Sequence, residues 1–112
     1  MSRLETLMSL REGWDGPSSV AVTGLAHANY NEFIRALGID IHPDVEPMAT
    51  PSGGIRMEWE RGDYTYIAEI QGDGGLYLCA LGPTPTDDRD VELKTMDVRK
   101  LTRFFRDGTI GR

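Results

Sequence analysis

Cys79 is the only cysteine of this 112-residue chain, and His27 and His42 are its only histidines. A thiolate–imidazole pair is therefore the first nucleophilic arrangement to weigh. A reactive thiol needs an electropositive, partly open setting. Cys79 lies instead in Leu76-Tyr77-Leu78-Cys79-Ala80-Leu81, an apolar run in which a cysteine reads as a small core hydrophobe. Glu58 and Glu60 stand two apart in a strand-like segment and would share one face. Paired carboxylates do acid–base work when burial separates their pKa values. Arg56 shares that face and Arg61 follows, so a solvated charged face is the plainer reading. His42 has Asp40 and Asp44 nearby, but zinc asks for three or four strong ligands at tighter spacing. His27 falls on the polar side of a helix with no second ligand at helical spacing. Asp15 and Asp73 sit in glycine-rich turns, where aspartate bonds its own backbone. Gly72-Asp73-Gly74-Gly75 lacks both the strand-to-helix context and the lysine of a phosphate loop. Arg61-Gly62-Asp63 reads as a hairpin turn. These residues name no catalytic set, no metal and no cofactor, and the chain reads as a binding protein rather than an enzyme.

Six residues carry the binding expectation: Trp14, Tyr64, Tyr66, Arg99, Arg103 and Arg106. Trp14, in Gly13-Trp14-Asp15-Gly16-Pro17, either plugs an open end of the core or stands out as an anchor. The plug is preferred, because a thin core gains much from one large ring. Tyr64 and Tyr66 share a strand face and form core or a partly exposed aromatic patch. Arg99, Arg103 and Arg106 fall within about 60° of one another on a helical wheel, opposite Val98, Leu101 and Phe105.

The elements that must position these groups follow from periodicity. Ser2 and Glu5 have capping-box spacing, and Leu4, Leu7, Met8 and Leu10 share a face, which predicts a helix over residues 3–11. A second helix runs from Val20 or Thr23 to Leu37, with Gly38 at its C-cap. Pro47 allows residues 45–50 no more than an edge strand. After the Pro51-Ser52-Gly53-Gly54 turn, Ile55, Met57 and Trp59 alternate with Arg56, Glu58 and Glu60. A second strand spans residues 64–70 and a third, apolar on both faces, residues 76–81. Residues 82–90 read as a mobile polar loop, and a last helix covers residues 96–107, ended by Gly108. The expected fold is a single α+β domain over residues 1–112: an antiparallel four-stranded meander with two N-terminal helices and one C-terminal helix packed on it (α-α-β-β-β-β-α).

Composition narrows the partners. The net charge is −6 and the sequence pI about 4.8, which argues against nucleic acid. Residues 91–112 reverse this sign, with six basic groups against three acidic. A basic tail on an acidic body can meet its own surface, a second copy in a homodimer, or a protein partner. One cysteine, no signal-peptide core and no apolar run of membrane length suggest a cytoplasmic protein without a membrane anchor.

The Leu-x-x-Leu, Gly13-Trp14-Asp15-Gly16, Pro51-Ser52-Gly53-Gly54-Ile55 and Glu58-Trp59 segments together resemble a loose group of small uncharacterised bacterial and phage proteins with a GWDG … PxGGxxxEW … DG pattern. The resemblance covers about residues 4–80 and implies an architecture, with no catalytic residues. Pro17-Ser18 stands where the group often has Tyr-Gly, and the basic C-terminal helix lies outside it. By analogy the chain resembles an antitoxin, an immunity protein or a phage inhibitor: a small acidic antagonist that occludes a protein partner. The alternative is a small-molecule or nucleotide-binding domain, with a pocket between sheet and helices lined by Trp14, Tyr64 and Tyr66. A small hydrolase using Cys79 or Glu58 and Glu60 is a third reading.

Overall fold

The structure is a computed structural model, and it describes residues 8–14, 19–38 and 45–110. Helix α1 spans Gly24–Leu37. Its N-cap is Thr23, whose hydroxyl accepts from the Ala26 N–H, and the Gly38 N–H closes its C-terminus on the Ile34 carbonyl. Five strands follow: β1 (Met48–Ala49), β2 (Ile55–Arg61), β3 (Tyr64–Ile70), β4 (Leu76–Leu81) and β5 (Arg89–Leu93). They form one antiparallel meander in the order β1-β2-β3-β4-β5. Helix α2 spans Val98–Asp107, with the Asp97 carboxylate accepting from the Lys100 N–H and Gly108 at the C-cap in the left-handed conformation that glycine tolerates.

The expected register holds. Ile55, Met57 and Trp59 are buried, and they pair with Ile70, Ala68 and Tyr66 on β3. Leu76, Leu78 and Ala80 extend the same face, and α1 covers it with Ala26, Tyr30, Phe33 and Leu37. Leu101, Phe104 and Phe105 of α2 complete the core. Its rings form a continuous series. Phe33 meets Phe105 edge-on at 5.7 Å, Phe105 lies 5.0 Å from Trp59, Trp59 stacks on Tyr66 at 5.9 Å, and Tyr66 stacks on Tyr64 at 5.9 Å. The series runs from the buried helix layer out to half-buried tyrosines.

The sheet differs from expectation at its far edge. Residues 89–93 form a fifth strand, where a loop was expected to run through residue 90. Val91 pairs with Leu78 and Leu93 with Leu76, so β4 is an interior strand. That explains why β4 is apolar on both faces. Arg89, Asp90 and Glu92 hide the strand from a hydrophobicity reading, and charge of this kind is how an edge strand discourages pairing with other chains. The remainder of the expected loop is a bonded turn, a short 3₁₀ segment over Pro85–Asp87. Asp87 bonds both the N–H and the hydroxyl of Thr84, and the Gly82 N–H donates to Asp88. The last helix begins at Val98 rather than Met96, because Asp97 supplies the cap.

The expected first helix lies mainly outside the described residues. Met8 is helical, and the chain turns at Glu12 and Gly13. The four-strand count is corrected to five, and from Gly24 onward the elements run α-β-β-β-β-β-α. Among the described residues no helix is long and apolar enough to cross a membrane.

Candidate binding surfaces on the second helix and the sheet end

Helix α2 presents two faces because its apolar residues recur at helical spacing. Leu101, Phe104 and Phe105 point into the core, while Arg99, Arg103 and Arg106 are exposed. The three arginines rim a groove of about 420 Å³, floored by Val98 and Thr102 of α2 and by Ala36 of α1. None of the three makes an ion pair within 4 Å among the described residues; the pairs found there are Arg35–Glu32 and Arg56–Glu58. Asp107 lines the end of the groove. The hydroxyl and the N–H of Thr109 hold its carboxyl below the usual carboxylate range, and the Arg103 and Arg61 charges add to this. Thr102 contributes a buried hydroxyl that finds no hydrogen-bond partner among the described residues.

Arg61 steadies the end of this helix. It was expected only as a turn residue, yet its guanidinium donates to the Arg106 carbonyl at 2.7 Å and the Phe105 carbonyl at 2.9 Å. A cation at a helix C-terminus satisfies carbonyls that lack helical partners and opposes the helix dipole.

Tyr64 and Tyr66 line a second depression, of about 170 Å³, with Ala80, Arg89, Gly108 and Ile110. Trp59, Tyr66, Ala80 and Arg89 are cross-strand partners in one row, which explains the hollow. Alanine is the one small side chain between a ring and a guanidinium. Gly108 closes in so tightly that a Cβ there would lie 2.8 Å from the Tyr66 hydroxyl oxygen.

Trp14 belongs to neither surface. It is half-buried, its indole N–H donates to the Val20 carbonyl at 2.8 Å, and its own backbone N–H bonds the Arg11 carbonyl. It is not among the side chains packed on the main core cluster. The bond to Val20 ties it to the segment leading into α1, and it lines neither the α2 groove nor the depression beside Tyr64 and Tyr66.

The remaining chemical candidates lie on α1 (His27), on the outer face of the sheet or outside the described residues. Cys79 is buried beside Ile67 on the face away from both helices, so the sheet separates it from α1 and from His27. Its neighbours include Tyr77 and Asp90. Tyr77 donates to the Asp90 carboxylate at 3.2 Å, and the Cys79 thiol, burial and that carboxylate together push the phenol's pKa up. Glu58 and Glu60 are exposed on the same face, and Glu58 pairs with Arg56 at 3.2 Å. His42, Asp40 and Asp44 lie outside the described residues, and among the described residues no three metal-binding side chains gather.

Sequence reasoning missed Arg61, Ala36 and Arg89. Arg89 was hidden inside an expected loop, and only the register of β5 brings it to the tyrosines. The chain matches no family model, no curated protein and no solved structure.

Proposed function

We propose that this protein acts by binding, as a small antagonist that occludes an acidic protein partner through the α2 groove. The observation that carries this reading is the set of three exposed arginines, none in an ion pair within 4 Å among the described residues, that line one groove with Val98, Thr102 and Asp107 of α2 and Ala36 of α1. Charged rims steer encounter and exclude wrong partners, and a desolvated floor supplies the affinity. The acidic balance of the rest of the chain supports the same reading, because it leaves the last helix as the region where basic groups outnumber acidic ones. A second copy of the chain is the other occupant this chemistry admits.

The test is charge reversal of Arg99, Arg103 and Arg106 to glutamate. Exposed charges contribute little to stability, so the melting temperature should stay within a few degrees. Proteins captured from the native host by the wild-type chain should be lost from the triple variant and retained by Arg35→Glu, which reverses a charge on α1 already paired to Glu32. Once a partner is isolated, the triple variant should bind it at least about tenfold more weakly. The loss should fall mainly on the association rate and shrink as salt rises. Sedimentation of the chain alone distinguishes a second copy from a different protein. Equal capture by the triple variant, with the same salt response, would sink the proposal.

A further inference from the structure

The hollow over Ala80 has the chemistry of a site distinct from the α2 groove, with which it shares no lining residue. The side chains able to hydrogen-bond there are the Tyr64 and Tyr66 phenols and the Arg89 guanidinium. Among the described residues none of these three side chains makes a hydrogen bond or an ion pair, and no carboxylate lines the hollow. Three donors of this kind, one permanently cationic, ask for an oxyanion. The rest of the lining is the tyrosine rings, the Ala80 methyl, the Ile110 side chain and Gly108. Tyr66 and Arg89 stand on strands two apart, so their backbones are separated by about 10 Å. A gap of that width, less the two side chains, admits one planar group. A volume of about 170 Å³ corresponds to roughly five or six water molecules, which suits a single ring and not a nucleotide.

The walls are held in place before any ligand arrives. Tyr66 is stacked on Trp59, meets Phe104 edge-on at 5.5 Å and is backed by the Gly108 main chain. Tyr64 stacks on Tyr66, and a Cβ at Gly82 would lie 3.0 Å from its ring. Preorganised rings lose little entropy on binding. We infer that this hollow is a binding site for a small aryl oxyanion, a single aromatic ring bearing a carboxylate or a phosphate. The ring lies against the tyrosines and the Ala80 methyl, and the anion is paired with Arg89 and the phenolic hydroxyls.

Titration of isotope-labelled protein with benzoate, phenyl phosphate, benzamide and inorganic phosphate, followed by NMR, tests this. Benzoate or phenyl phosphate should saturably shift the Tyr64 and Tyr66 ring signals, the Ala80 methyl and the Gly108 amide. Neutral benzamide and ringless phosphate should bind at least about tenfold more weakly. Arg89→Met should weaken the aryl anions at least about tenfold while leaving the melting temperature and the benzamide response unchanged. Tyr64→Phe, which keeps the ring, should weaken them severalfold. The Arg99/Arg103/Arg106 reversal should leave this binding intact, so failure here leaves the α2 reading standing. Shifts that never saturate, benzamide binding as tightly as benzoate, phosphate as tightly as phenyl phosphate, or binding that survives Arg89→Met would overturn the assignment.

Discussion

Phe104→Ala is expected to lower the free energy of unfolding by about 3–5 kcal/mol, the range for truncating a fully buried aromatic. Phe104 is 0% exposed and meets both Trp59 and Tyr66 edge-on at 5.5 Å. Its ring joins α2 to the one stack that crosses the sheet, so neighbouring side chains cannot collapse into the space without moving rings that are themselves packed. Domains of this size are stable by roughly 5–15 kcal/mol, so the loss is a large fraction of the whole. Urea unfolding followed by tryptophan fluorescence should show a lower midpoint at an unchanged slope. An unfolding free energy within about 0.5 kcal/mol of wild type would mean that α2 is not docked through Phe104.

Gly54→Ala is expected to cost about 1–3 kcal/mol or more, by overpacking. A Cβ at Gly54 would lie 2.6 Å from the Ile70 carbonyl oxygen and 3.1 Å from the Thr50 hydroxyl. Neither contact yields easily. Ile70 is buried within β3, and the Thr50 hydroxyl accepts the Gly54 N–H at 2.9 Å. The turn also ties α1 to the sheet. Val20 donates to the Pro51 carbonyl, Thr23 donates to the Gly53 carbonyl, and the Thr23 hydroxyl reaches the Gly72 carbonyl. Displacing Gly54 therefore disturbs the helix cap as well as the strand. Gly24→Ala is the control. It lies in the first turn of α1 with no atom within 4 Å of a new Cβ, and it should be neutral or stabilising by up to about 1 kcal/mol. Thermal melts of the two variants should move in opposite directions, or with Gly24→Ala unmoved. Equal destabilisation of both would remove the steric argument.

The local pattern of residues determined much of this protein. The alternation of Ile55, Met57 and Trp59 with Arg56, Glu58 and Glu60 specified which face of β2 is buried, because a one-residue slip would place charges in the core. Thr23 and Gly38 bounded α1, since each end needs a side-chain acceptor or a flexible C-cap. The spacing of Arg99, Arg103 and Arg106 against Leu101, Phe104 and Phe105 made α2 two-faced before any contact was known. Tertiary structure decided what the local pattern could not express. β5 is a strand because β4 offers it a ladder of backbone bonds, and its own side chains carry too little hydrophobic signal to announce it. Arg89 reaches Tyr64 and Tyr66, and Ala36 reaches the arginines, only through pairing and packing between distant segments. Trp14 kept its place beside turn residues but took its partner, the Val20 carbonyl, from the folded path of the chain. Periodicity reports the side of an element that faces inward. It carries no information about which residues from elsewhere arrive on the side that faces out, and the candidate sites of this protein lie on that side.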